Sequence, residues 1–157
     1  MTTPAGPQAR FDGLGLVLPA APKPIGAYKP FLAVGPHAYL SGHLPTLPGG
    51  EFVKGRVGAD LDADAGREAA RQAALTMLAT LIANVGTLDR VSRVIKVLGL
   101  VAATPDFDRH PHVLNGASEL FATIWGPDAG VGVRSAVGAA SLPAGVAVEI
   151  EAIFELA

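Results

Sequence analysis

The sequence contains no cysteine. That excludes disulfides, a thiolate nucleophile and cysteine-ligated metal. Charge is also scarce: 17% of residues are Asp, Glu, Lys or Arg, against about 25% in an ordinary soluble domain. There is no basic excess, since the formal net charge is −2. Nucleic-acid binding normally needs a basic footprint, so nucleic acid is not an expected partner. No apolar run approaches the ~20 residues of a membrane span. The opening segment MTTPAGPQARFDGLG lacks the lysine-rich start and apolar stretch of a secretory signal. A cytoplasmic protein with no membrane partner is the expectation.

What is abundant is apolar and small. Half of the 157 residues are hydrophobic, with 19 glycines and 13 prolines. The length fits one domain able to bury roughly 70% of its unfolded surface. The shortage of charge implies either apolar surface covered by copies of the chain or an alanine-rich compositional bias.

Residues 1–24 are rich in Pro, Gly and Ala and read as an extended N-terminal segment, with Leu14–Leu18 packing on the surface. The domain proper is read as 25–157. Apolar segments near 28–34 and 37–41 flank the turn signal Gly35-Pro36 and predict a hairpin. A loop over 43–50 and a brief strand near 51–53 follow. Asp64 is placed to cap a helix running to about Val85, with Gly86 as its stop. Ala70, Ala74, Met77, Leu78, Leu81 and Val85 form its apolar face at spacings of three and four. Val91–Val101 is apolar on both parities and predicts a buried central strand. A second helix begins at Pro111 and ends at Gly126-Pro127, with Val113, Leu114, Ala117, Leu120, Phe121 and Ile124 inward. Strands at 133–140 and 146–156 are joined by Leu142-Pro-Ala-Gly145 and predict a closing hairpin. The order ββ(β)αβαββ gives an α+β fold, one sheet with two helices on one face. The other face then needs a cover, and self-association is the natural one.

The chemistry concentrates in strand 133–140. Alternation puts Arg134 on one face with Ala136, Gly138 and Ala140. Such small neighbours leave open volume around a guanidinium, whose fork suits bidentate capture of a carboxylate or phosphate. The competing reading is an ion pair with Glu149 or Glu151 across the expected hairpin. Glu149 and Glu151 share one face of the last strand, where partial burial would raise a carboxyl pKa toward neutrality. A solvated strand face is the plainer alternative. His110-Pro111-His112 with Asp106 and Asp108 matches no compact ligand motif, so these residues read as capping or surface groups and no metal is expected. The glycines at 126, 130 and 132 lack the Lys-Ser/Thr of a phosphate loop, and no serine lies in a Gly-x-Ser-x-Gly elbow.

Arg134-Ser135, followed by Leu142-Pro143 and Val148-Glu149-Ile150-Glu151-Ala152, resembles the signature of the RidA/YjgF family. Ile25-Gly26-Ala27-Tyr28 is similar to the family's Ile-Gly-Pro-Tyr segment. Tyr39-Leu40-Ser41-Gly42-His43 is similar to its strand ending in Ser-Gly-Gln, and Asn115 matches a family asparagine. The resemblance spans roughly 25–156 and implies a chorismate-mutase-like fold. It also implies a homotrimer with a central barrel and clefts between subunits. The implied activity is cofactor-free hydrolysis of enamines and imines of small 2-amino acids to 2-oxo acids and ammonia. By that resemblance Arg134 binds the substrate carboxylate and Glu149 positions or activates water. Tyr28, Ser41, Gly42, His43, Asn115 and Ala136 then line the cleft. The sequence departs from the family at Gly132-Val133, at Ala136 (often cysteine) and at His43 (glutamine), which alters the cleft floor. A non-catalytic trimer that senses a 2-oxo acid is the alternative. The endoribonuclease label attached to such proteins fits poorly with the acidic balance.

Overall fold

The structure, a computed structural model, describes residues 5–157. Its elements are α1 (Pro7–Gly13), β1 (Phe31–Val34), β2 (His37–His43), α2 (Ala63–Val85), β3 (Val91–Ala102), α3 (His110–Ala129), β4 (Val133–Ala139) and β5 (Val148–Leu156). Short 3-10 turns at Leu88–Arg90 and Pro143–Gly145 complete them. One five-stranded sheet runs in the order β1-β2-β5-β3-β4. The helices α2 and α3 pack together on one of its faces, as the α+β reading requires.

The expected closing hairpin is not formed. β4 pairs parallel to β3, with Arg134 opposite Val97, while β5 inserts antiparallel between β2 and β3. The β3–α3–β4 segment is therefore a crossover unit, which a parallel pair requires. The Leu142-Pro143-Ala144-Gly145 turn carries the chain past the end of β3 instead of folding it back; Ala144 and Gly145 adopt φ of 56° and 70° there. β4 becomes a sheet edge. Its small and exposed residues suit that position.

Other elements fall close to expectation, with local differences. Asp62, not Asp64, caps α2, accepting from the Ala65 N–H at 2.8 Å. Asp64 instead bonds His112 at 2.7 Å and so ties the first turns of α2 and α3. That contact holds the exposed Asp64 carboxyl below its ordinary range. The expected strand near 51–53 is reduced to isolated bridges, Thr46 with Phe52 and Lys54 with Val146. The path of α3 breaks at Gly126, whose φ is 92°.

The segment 1–24 is not simply extended, although residues 1–4 lie outside the described part. Pro7 sits in the first turn of α1, where its missing N–H costs nothing. Phe11 is buried, Arg10 donates to the Ile124 carbonyl at 3.0 Å, and Gln8 donates to Asp89. Leu16 and Leu18 also pack against the core.

The core forms where α2 and α3 cover β5 and β3. Phe154, Ile150, Val148, Val97 and Val101 rise from the sheet to meet Met77, Leu78, Leu114 and Phe121. The alanines 69, 70, 73 and 74 keep α2 thin, and Gly116 lets α3 approach it so closely that a Cβ there would overlap the Arg67 carbonyl. Arg67 also pairs with Glu119 across the crossing. The opposite sheet face is open: Leu32, Tyr39, Val133 and Val137 are 45%, 41%, 67% and 45% exposed.

Gly116→Ala tests the helix approach. Better helix propensity favours alanine by up to about 1 kcal/mol. The overlap is with backbone, which cannot swing aside, so a net loss of about 1–3 kcal/mol is expected in urea unfolding. A variant as stable as wild type would contradict the close crossing.

Candidate functional site

Arg134 projects from β4 onto the helix-covered face, half-buried. Its Nη1 donates to Asn115 Oδ1 at 2.9 Å and to Ser118 Oγ at 3.1 Å, and its Nη2 reaches the Pro111 carbonyl at 3.4 Å. All three acceptors are neutral. None of the ion pairs among the described residues includes Arg134. The anticipated pairing with Glu149 or Glu151 is absent because β3 lies between β4 and β5. A guanidinium carries five donors, so the three bonds orient the group and leave two donors and the full charge for another partner. Ala136 follows Arg134 on the same face, half-buried against the core.

Ser118 was missed from the sequence. It lies three residues beyond Asn115 on α3, hence on the same helical stripe, and that spacing was the available signal.

Glu149 belongs to a different surface. Its side chain stands on the open face of the sheet, and lines a cavity of about 380 Å³ with Ile25, Tyr28, Ser41, Gly42, Leu44, Pro143 and Glu151. A Cβ on Gly42 would overlap the Glu149 carboxyl, so the glycine makes room for it. Burial pushes the Glu149 pKa up, and the neighbouring Glu151 charge adds to the rise. Ser41 orders the Tyr28 arm: its Oγ donates to the Lys29 carbonyl at 2.6 Å and its N–H to the Pro30 carbonyl at 3.1 Å.

Of the eight residues singled out from the sequence, Arg134, Asn115 and Ala136 thus gather on one face, and Tyr28, Ser41, Gly42 and Glu149 on the other. His43 joins neither group. Register shifts between Leu40 and His43, and the His43 side chain is buried, 1% exposed. Its Nδ1–H donates to the Ser41 carbonyl at 2.6 Å, which fixes the neutral tautomer; Nε2 then accepts from the Thr80 hydroxyl at 2.7 Å. It supports the Ser41-Gly42 strand from the core and does not line the Glu149 cavity.

A single sheet with a β3–α3–β4 crossover and two long helices on one face defines a chorismate-mutase-like protein. The chain belongs to the family described as "YjgF/chorismate mutase-like, putative endoribonuclease", which matches residues 8–149. It is 40% identical over 148 residues to protein TCP17 of Trypanosoma cruzi, covering 94% of this chain and 92% of that one. A crystal structure of a protein of unknown function from Agrobacterium tumefaciens shares 40% identity over 96% of this chain and 94% of that chain, with a TM-score of 0.86. RidA from an Antarctic Psychrobacter shares 29% identity over 87% of this chain and 94% of its own, with a TM-score of 0.60. No helix among the described residues is long and apolar enough to cross a membrane.

His43 has a testable signature. Burial holds its pKa below the ordinary 6.5, the Ser41 carbonyl offsetting only part of the effect. The folded state then binds this proton more weakly than the unfolded chain does, so the contribution is complete above about pH 6.5 and falls away as pH drops through it. Between about pH 7.5 and about pH 5.5 the urea midpoint of the wild type is expected to fall relative to that of His43→Gln, the raised pKa of Glu149 acting in the opposite sense equally in both proteins. Equal changes in the two proteins would contradict a buried neutral His43.

Proposed function

We propose that the protein is a cofactor-free imine and enamine deaminase that converts small 2-imino acids to 2-oxo acids and ammonia. The observation that carries this reading is Arg134, a positioned guanidinium with only neutral oxygens around it. A carboxylate from outside supplies the missing countercharge and can engage the two donors left over. The net charge of −2 and the absence of a basic, aromatic strip favour a small acid over RNA as ligand.

The two groups of residues meet only if a second copy is present. Arg134 lies on the helix face of an edge strand, and Glu149 on the open face two strands inward. Strands are spaced about 4.8 Å apart, so about 10 Å and the sheet itself separate them within one chain, too far for one three-carbon acid to span. A homotrimer that packs its open faces into a central barrel joins Arg134 of one subunit to Glu149 and Tyr28 of the next. It also covers Leu32, Tyr39, Val133 and Val137.

In such a cleft, Arg134 fixes the substrate carboxylate while Glu149 holds a water at the imine carbon. Water oxygen adds to that carbon and the C=N electron pair moves to nitrogen. Glu149 takes the water proton and returns it to nitrogen, forming a carbinolamine. Glu149 then takes the hydroxyl proton and passes it to the amino nitrogen; the oxygen's electron pair closes the C=O as the C–N bond breaks, so ammonia leaves and the 2-oxo acid remains. The raised pKa suits Glu149 to this shuttle, because the proton it accepts is not bound too weakly at neutral pH. The imine carbon is already electrophilic, so positioning and one proton relay suffice, with no metal or organic cofactor in the scheme. A ligand-sensing trimer would use the same guanidinium without the relay.

Ammonia release from enzymatically generated 2-aminoacrylate tests the scheme. Arg134→Ala is expected to lose about a hundredfold or more in kcat/KM through lost charged hydrogen bonds. Glu149→Gln is expected to lose about 10²–10⁴-fold in kcat with KM little changed. Full activity in Arg134→Ala would refute the proposal, and binding without turnover in the wild type would favour the sensor.

A further inference from the structure

The ladder between β2 and β5 breaks at one place. Leu40 stands opposite Ala152 and His43 opposite Ile150, so Ser41 and Gly42 together face Glu151 alone. Two residues against one make a β-bulge, which bends the strand and re-aims the side chains beside it. Both bulge residues border the cavity of Tyr28 and Glu149. Ser41 spends its Oγ and its N–H on the Lys29 and Pro30 carbonyls, the two residues that follow Tyr28. Gly42 leaves open the recess that the Glu149 carboxyl occupies. The shape of this bulge therefore sets the tyrosine arm and the glutamate together.

The bulge is held from the core. The Ser41 carbonyl accepts from His43 Nδ1–H at 2.6 Å, and His43 Nε2 accepts from the Thr80 hydroxyl of α2 at 2.7 Å. His43 and Thr80 are each 1% exposed. Away from water, loss of either bond leaves a buried polar group unpaired. An apolar pair would fill this volume without desolvating a ring and a hydroxyl. What a fully paired polar chain adds is one defined geometry.

The neighbouring polar groups of α2 serve a different segment. One turn before Thr80, the Thr76 hydroxyl accepts from the Thr46 N–H at 3.3 Å, and one turn earlier Gln72 donates to the Thr46 carbonyl. Thr80 is the member of this row that reaches the bulge, and it does so through His43.

We infer that His43 and Thr80 are positioning residues: touching no substrate themselves, they fix the Ser41-Gly42 bulge from the core and so hold the Tyr28 arm and the Glu149 recess in the geometry that turnover needs. The inference rests on the proposed deaminase reading. It adds two residues that line no part of the cavity.

Three variants test it in the full protein. Thr80→Val removes the hydroxyl at nearly constant shape. His43→Phe removes both bonds, and His43→Gln keeps a donor for the Ser41 carbonyl and an acceptor for Thr80. Amide exchange of peptides spanning 26–31 and 38–43 reads the arm and the bulge, and ammonia release from 2-aminoacrylate reads turnover. In Thr80→Val and His43→Phe both peptides are expected to exchange about tenfold faster, as the loss of a buried hydrogen bond implies. Their kcat is expected to fall about tenfold or more with KM little changed, because Arg134 is untouched. His43→Gln is expected to return both readouts to within about threefold of wild type. Thr76→Val, as deeply buried, is the control for stability alone. It is expected to lower the urea midpoint without changing exchange over 26–31. If His43→Phe fails to fold, Thr80→Val still decides. Unchanged exchange over 26–31 in Thr80→Val, or a wild-type kcat in that variant, overturns the inference while the deaminase reading stands. A wild type that releases no ammonia overturns the deaminase reading instead, and the exchange rates then decide alone whether the pair holds the arm.

Discussion

A fixed positive charge surrounded by neutral oxygens organises the functional half of this molecule. Asn115, Ser118 and the Pro111 carbonyl orient the Arg134 guanidinium without neutralising it. Each of those partners comes from α3, and α3 is held over β4 because it is the crossover between two parallel strands. The oriented, un-neutralised guanidinium is thus a product of topology. Had β4 folded into a hairpin with β5, the glutamates would have been its nearest strand neighbours and the charge would have been spent internally.

The same topology divides the site. Crossing from β4 to β5 passes over β3, and parity puts Arg134 under the helices and Glu149 on the open sheet face. Each group is locally complete. Glu149 has its glycine opposite and its tyrosine arm held through Ser41, and Ser41 is in turn tied to α2 through His43 and Thr80. In the proposed scheme neither group alone holds both the carboxylate receptor and the proton carrier. Together with the exposed apolar residues of the open face, this division supports the proposed assembly of copies, in which apolar burial and completion of the site are one event.

Much of this was legible in the sequence because it depends on local chemistry. The helical stripes of α2 and α3, the two-sided apolar run of β3 and the small neighbours of Arg134 each follow from residue spacing. The motif from Arg134 to Ala152 pointed to the family. What was not legible depends on choices between distant segments. A Leu-Pro-Ala-Gly turn is compatible with either a hairpin or a passage beyond the neighbouring strand, and only competition for the site between β2 and β3 settles it. β5, apolar at Val148, Ile150, Ala152 and Phe154, gains more from that central position than small-residue β4 would. His43 shows the same limit. One shift in register at the end of β2 turned a side chain expected in the cleft toward Thr80 and the core. Residues 7–13 show the converse, since the proline-rich composition of the first 24 residues masked a short helix pinned by buried Phe11 and by the hydrogen bonds of Gln8 and Arg10.

The claim that two half-sites from different copies make one working site can be tested by subunit mixing. Arg134→Ala and Glu149→Gln proteins are each unfolded, combined and refolded together, and ammonia release is compared with that of each refolded alone. Complementary halves predict that the mixture regains activity, because some clefts pair an intact Arg134 with an intact Glu149. Hybrid assemblies confirmed by native mass spectrometry but as inactive as their parents would contradict it.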